Sequence, residues 1–225
     1  MPVSTAKLLI LIPAYNAGGY LAELAERLRS LPDAPDILII DDGSTDGTPD
    51  ILAGLGVTAL TNRPNRGKGY SLRRGFEYAA GKGYRYVVTI DADLQHRPEE
   101  IPRFLNYAEE ADLYIGTRCM DPKKMPWERR LTNNLTSLII SIFSGCRIRD
   151  SQSGYRMFKT DLLKTIRTEA TRYDFESEIL FKAGRLGARV AEIPISTVYG
   201  GSRSYINPLV DTGRFIRLVW KRIVS

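Results

Sequence analysis

Three apolar runs rich in β-branched and leucine residues, Leu8–Ile12, Ile37–Ile40 and Val87–Ile90, each stop at a polar or glycine-bearing loop. The residues are apolar at successive positions instead of alternating, so both faces of such a strand must be covered. That condition is met in a parallel sheet with helices on either side. Gly18 and Gly19 lead into an amphipathic helix expected over Tyr20–Leu31, and Thr48 followed by Pro49 reads as the N-cap and first residue of a second helix. Strand, loop, helix, strand, loop, helix implies parallel pairing with right-handed crossovers. The expected fold is therefore α/β, with a mostly parallel central sheet. A chain of 225 residues with 43% hydrophobic content can bury such a core as one domain, and no repeat or low-complexity linker divides it.

Open α/β sheets bind their ligands at the carboxyl ends of the strands. There the Val87–Ile90 run delivers Asp91 and Asp93, one residue apart, followed by Gln95. Hard oxygen ligands of this kind suit Mg²⁺ or Mn²⁺ together with phosphate oxygens. Acidic pairs after strands are also common as turn and cap residues. A second acidic loop, Asp41-Asp-Gly-Ser-Thr-Asp-Gly-Thr48, strengthens the functional reading, as does the loop Pro13-Ala-Tyr-Asn16. Within the second loop Asp46 is expected to bond its own turn, and Asp42 is the better candidate for a ligand. Lys68 lies in Asn65–Arg74, which lacks the strand–GxxxxGK[ST]–helix order of a P-loop. Approach to a ligand and a solvated loop cation both remain open for it.

Cys119 and Cys146 make no disulfide framework, and His96 is the only histidine, so a Cys/His zinc site is not expected. The net charge of +6 is compatible with nucleic acid, anionic lipid or polyphosphate. A basic nucleic-acid-binding domain would leave two acidic strand-end loops unexplained, and no reader motif or aromatic–basic repeat is present. No signal-peptide pattern precedes the first run, and no stretch reaches the roughly 18–20 apolar residues of a membrane span. The setting expected is a reducing cytoplasm.

Two later segments are amphipathic. Lys123–Arg130 carries Trp127 and paired cations, and Leu131, Leu135, Leu138, Ile139, Ile142 and Phe143 follow at helical spacing. Near the C-terminus Phe215, Ile216, Leu218, Val219, Trp220, Ile223 and Val224 alternate with Arg214, Arg217, Lys221 and Arg222. Both segments suit a helix lying at a membrane interface, and both also suit a helix docked on the domain.

The stretches PAYN, DDGSTDGT and DADLQHRPE, in this order, resemble the inverting family 2 glycosyltransferases of the GT-A, Rossmann-like fold. The likeness is closest to the polyprenyl-phosphate glycosyltransferases of the dolichyl-phosphate mannose synthase type. It continues through Gly116-Thr-Arg118, Asp150–Arg156, Tyr173–Glu178 and Glu192–Ile195. It implies one catalytic domain over 1–225, with interface segments near 127–144 and 209–225. The partners implied are a nucleotide-sugar donor, a polyprenyl phosphate acceptor and the inner face of a membrane, with Mg²⁺ or Mn²⁺ as cofactor and no nucleic acid.

By the same resemblance Pro13, Tyr15, Ala17, Ile40, Asp41, Asp42, Asp91, Ala92, Asp93, Gln95 and Arg203 bind the donor. Asp91, Asp93 and Gln95 hold the metal, and Arg118, Arg129 and Asn133 hold the acceptor phosphate. Asp93 and Arg118 are the catalytic candidates. Asp174, Glu176 and Glu178 fall where hydroxyl-acceptor members carry a base. A phosphate acceptor is already ionised and has less need of one, so Glu178 is expected to orient neighbours. The loop Tyr199-Gly-Gly-Ser-Arg-Ser204 departs from the mannose synthases, with Tyr199 in place of an arginine and Ser202-Arg203 in place of Ser-Lys.

Overall fold

The computed structural model describes residues 8–118, 127–172 and 174–196, and for residues 127–131 the backbone alone. Arg203, the 199–204 loop, Cys119 and the 209–225 segment lie outside the described residues.

Seven strands form one sheet: β1 (Leu8–Ala14), β2 (Asp36–Asp41), β3 (Thr58–Thr61), β4 (Tyr86–Thr89), β5 (Leu113–Arg118), β6 (Arg156–Lys159) and β7 (Val190–Ile195). Their order is β3-β2-β1-β4-β6-β5-β7. Every neighbouring pair is parallel except those made by β6, which runs against both β4 and β5. The mostly parallel sheet expected from the apolar runs is present. The helices are α1 (Gly18–Arg29), α2 (Thr48–Gly54), α3 (Lys68–Lys82), α4 (Ile101–Leu105), α5 (Trp127–Ser144), α6 (Thr160–Thr165) and α7 (Phe175–Arg185).

The uninterrupted apolar runs are explained by a core on each face. Leu8, Ile10 and Ile12 of β1 share one core with Leu21, Leu24 and Leu28 of α1 and with Phe104. Leu9 and Leu11 point the other way, into a core with Leu72 and Phe76 of α3 and Phe175 and Ile179 of α7. Burying each such side chain stabilises the fold by about 1.5–3 kcal/mol. Two helix starts differ from expectation. Helix α1 takes in Gly18 and Gly19, and α2 is capped by Gly47. The Thr48 hydroxyl is instead engaged across the fold, where it accepts the Ala17 N–H at 3.0 Å.

Helix α5 is a single helix with the reverse of the usual orientation. Asn133, Thr136, Ser137, Ile140 and Ser144 are buried, whereas Leu135, Leu138 and Ile142 are 56%, 56% and 68% exposed. The polar stripe faces inward because it has partners there. Ser137 exchanges hydrogen bonds with the hydroxyl and N–H of Ser151, and Ser141 Oγ bonds both N–H and carbonyl of Ile148. Among the described residues no helix is long and apolar enough to cross a membrane.

Candidate active site

Because β1, β2, β4 and β5 are parallel, their C-terminal ends share one edge of the sheet, and β6 begins at that edge. The loops after β1 and β2 are tied together there. Asn16, with φ +50°, donates its N–H to the Ser44 hydroxyl at 2.9 Å and accepts the Thr45 N–H on Oδ1 at 2.8 Å. Asp41 accepts the Ser44 N–H at 3.0 Å, and Asp46 accepts the Thr48 N–H at 3.0 Å, the local turn bond expected of it.

The donor residues named from the resemblance are brought to this edge unequally. Pro13 and Tyr15 are half-buried beside it, and Ala17 and Ala92 are buried. Ile40 requires a correction. It is fully buried in the core with Leu9, Leu38 and Leu72, so only its main chain can face a ligand. Asp42 is 3% exposed, and its carboxylate accepts Asn62 Nδ2 at 2.8 Å, the Arg66 N–H at 3.0 Å and the Gly67 N–H at 2.7 Å. Its observed work is to hold the 62–67 loop that launches α3.

Asp91 follows β4 and is fixed from two sides. Lys68 Nζ lies 2.7 Å from Asp91 Oδ1 and 2.8 Å from Glu176 Oε1. On the other side, just beyond the last β4–β6 pair, Thr89 with Arg156, Gly154 lies against the Asp91 carboxylate. A Cβ at Gly154 would stand 2.5 Å from Asp91 Oδ2, so only glycine admits the carboxylate. Burial alone disfavours charge on the ammonium, but Asp91 and Glu176 outweigh it and hold the Lys68 pKa well above its ordinary value. Burial likewise pushes the Asp91 carboxyl up, but Lys68, with His96 and Arg118, holds it below its ordinary value. Asp93 has no such partner. Burial, then the charge of Asp91, raise its pKa, while the Gln95 N–H donates to its Oδ1 at 3.1 Å. Leu94, between them, has φ +59°, a strained value for a bulky residue that turns the acid loop back on itself.

Arg118, at the end of β5, donates through Nε to Asp150 Oδ2 at 2.7 Å and through Nη2 to Oδ1 at 2.8 Å. Asn133 is buried on the inner face of α5. The Arg129 side chain lies outside the described residues. Arg156 is buried and donates to the carbonyls of Ser151, Ser153 and Glu176 at 2.7–2.9 Å, with burial lowering its pKa to about 10. Glu178 turns away from the edge. Its carboxylate accepts the N–H groups of Glu169 and Ala170 and pairs with Lys182 at 2.8 Å, as an orienting residue should.

Around Asp91 and the Arg118–Asp150 pair, four carboxylates, Asp91, Asp93, Asp150 and Glu176, face three cations, Lys68, Arg118 and Arg156. The excess of negative charge and the position of an ammonium on Asp91 fit a hard divalent cation. Among the described residues no cluster of three His, Cys, Asp or Glu side chains makes a closed metal cage. Two carboxylates with an amide suit an ion that completes its shell with water and substrate phosphates.

The sequence leaves Lys68 open between a ligand contact and a solvated cation, places Glu176 only as one of three acids in a base-bearing segment, and gives Asp150, Gly154 and Arg156 no individual role. One signal was present. Glu176 and Glu178 are two residues apart on a helix, roughly 200° around its axis, so only one of them can face the sheet edge.

The family profile described as glycosyl transferase family 2 matches residues 9–167. The chain is 34% identical over 203 residues to an undecaprenyl-phosphate mannosyltransferase of Micrococcus luteus, covering 85% of this chain and 84% of that protein. A polyprenol monophosphomannose synthase of Mycolicibacterium smegmatis is 30% identical over 205 residues, covering 85% of this chain and 77% of that one. A UDP-N-acetylglucosamine–dolichyl-phosphate N-acetylglucosaminyltransferase of Methanococcus voltae is 30% identical over 214 residues, covering 84% and 85%. Glucosyl-3-phosphoglycerate synthase of Mycobacterium tuberculosis, solved with Mn²⁺, UDP and glucosyl-3-phosphoglycerate, superposes with a TM-score of 0.73 at 22% identity, covering 97% of this chain and 78% of that one. That likeness is one of fold, the GT-A architecture.

Proposed function

Since the chain belongs to glycosyl transferase family 2, we propose that it moves a sugar from a nucleotide-sugar donor to a polyprenyl phosphate, with inversion at the anomeric carbon. The observation that carries this reading is the pairing of two unlike sites on one sheet edge. The acids Asp91 and Asp93 end β4, and the Arg118–Asp150 fork ends β5. With β6 between them, those strand ends stand about 10 Å apart, a span suited to a leaving diphosphate and an attacking phosphate. The relatives named for transfer to polyprenyl phosphates support the acceptor class.

Asp91, Asp93 and Gln95 would hold Mg²⁺ or Mn²⁺, which when bound supplies Lewis-acid neutralisation of the donor diphosphate. Pro13, Tyr15, Ala17 and Asp41 would border the donor base and ribose, with the Ile40 main chain and Ala92 beside them. Arg203 would reach the diphosphate. Asp42 supports this wall through the 62–67 loop. Arg118, held in orientation by Asp150, would align the acceptor phosphate together with Arg129 and Asn133. The acceptor oxygen, already ionised, attacks opposite the departing nucleotide and needs no proton removed. The outward apolar stripe of α5 supports placement at a membrane surface, where the cytoplasmic leaflet presents the lipid phosphate.

Incubation with separate nucleotide sugars, Mn²⁺ and a short polyprenyl phosphate tests the reading. A lipid-phosphate-linked monosaccharide should form from one donor. Transfer only to a free saccharide or protein hydroxyl would refute the acceptor assignment.

A further inference from the structure

Lys68 is the first residue of α3, and the backbone on which it stands is immobilised. Asp42 receives the N–H groups of Arg66 and Gly67, and a Cβ at Gly67 would collide with the Thr171 carbonyl. Glu176 stands in the first turn of α7 and is fixed as well, because Arg156 Nη1 donates to its carbonyl at 2.9 Å. Between these two anchors the lysine stem is the flexible part. Its ammonium is shared by Asp91 Oδ1 at 2.7 Å and Glu176 Oε1 at 2.8 Å, while Glu176 Oε2 is buried and has no hydrogen-bond partner. An ammonium so placed occupies a lone-pair direction of Asp91 and repels any second cation that approaches the same carboxylate.

We propose that Glu176 is a positioning residue that receives the Lys68 ammonium when a divalent cation binds Asp91, so that one carboxylate serves lysine and the other serves the metal. The inference rests on Asp91 being a metal ligand, as in the reading above. The exchange moves no proton and makes or breaks no covalent bond. Lys68 swings from two acceptors to the two oxygens of Glu176, and Asp91 recovers the lone pair that it shared. Without Glu176 the ammonium has only Asp91 as its counter-charge and competes with the metal for it. In this arrangement Glu176 offsets the competition that the lysine would otherwise set.

The test is Mn²⁺ binding without nucleotide sugar, read from the electron paramagnetic resonance signal of the free ion. Glu176→Gln should weaken Mn²⁺ binding by about 10- to 100-fold, the usual effect of losing a partner of a metal ligand. The double variant Lys68→Met/Glu176→Gln should bind nearly as tightly as the unaltered protein, because the competitor has been removed. Glu176→Asp, which keeps the charge but not the reach, should weaken binding as well, an effect that net charge alone would not give. Unchanged affinity in Glu176→Gln, or a double variant as weak as the single one, would overturn the proposal. Should Glu176→Gln fail to fold, Glu176→Asp takes its place: weaker Mn²⁺ binding that Lys68→Met restores supports the proposal, and unchanged affinity overturns it. Asp91→Asn separates the two levels, since its loss of Mn²⁺ upholds the metal assignment whatever Glu176 does, and retained affinity would remove that assignment itself.

Discussion

Arg118 and Asp150 meet in a two-point ion pair, Nε and Nη2 of one against both carboxylate oxygens of the other, and the Arg118 N–H adds a third bond at 3.1 Å. Asp150 is fully buried and the arginine only partly so, with the cation oriented from beneath. Lysine keeps the charge but not the fork. Arg118→Lys should therefore lower turnover on polyprenyl phosphate at least about tenfold, roughly 1.4 kcal/mol of transition-state stabilisation. Donor binding, followed by titration, should be nearly unchanged. Asp150→Ala should instead lower the melting temperature, since losing one partner of a buried pair costs about 3–5 kcal/mol.

Asp93 differs from Asp91 in lacking a cation of its own. Replacing it with asparagine removes a metal ligand and also relieves repulsion within the acid pair. The expected combination is a loss of Mn²⁺-dependent turnover of about 100-fold or more with a melting temperature that is unchanged or slightly higher. A lower melting temperature would show that Asp93 is structural instead.

His96 is 5% exposed, and burial brings its pKa down from 6.5 to about 4, against the opposing pull of Asp91. The unfolded chain thus takes up this proton at a higher pH than the folded one does. The stability contributed is complete above pH 6.5 and is lost as the pH falls towards 4. Over that window the loss should be on the order of 3 kcal/mol. Denaturant midpoints of the metal-free protein should fall accordingly, and His96→Gln should flatten the slope. An equal slope in the variant would assign the effect to other groups.

Within α5 two sets of substitutions should separate two properties. Replacing Leu135, Leu138 and Ile142 with serine removes exposed apolar surface, so folding stability should barely change while cosedimentation with anionic vesicles falls. Ile140→Ala, at a fully buried position, should cost about 2–5 kcal/mol and leave vesicle binding of the folded protein intact. Vesicle binding unaffected by the triple replacement would place the membrane contact elsewhere.

The acid loop after β4 was legible because an uninterrupted apolar run and an abrupt carboxylate pair are both local. That the Ile40 side chain is buried, leaving only its main chain to face the edge, was not legible. A strand covered on both faces carries no alternation, so nothing in Ile37–Ile40 says which side chains meet α3 and which turn elsewhere. The periodicity of α5 grouped Leu135, Leu138 and Ile142 on one face but could not say whether that face pointed in. The bonds from Ser137 and Ser141 to the 148–151 segment decide it, and they join residues of no obvious mutual attraction. The setting of Asp91 was least legible. Gly154 comes to it from just before β6, Lys68 from α3 and, through that lysine, Glu176 from α7, and the reversal of β6 leaves no mark in the strand sequence itself.

The scatter of those residues along the chain also sets when the site comes into being. The four strands β3, β2, β1 and β4 pair side by side and are all synthesised by residue 89, yet Gly154 and Glu176 are added much later. At about 5–20 residues per second, Glu176 leaves the ribosome roughly 5–20 s after Lys68. A nascent chain can therefore pair these four strands with Lys68 already beside Asp91 but Gly154 and Glu176 still absent. The acid loop is thus among the last parts of the domain to reach its final setting.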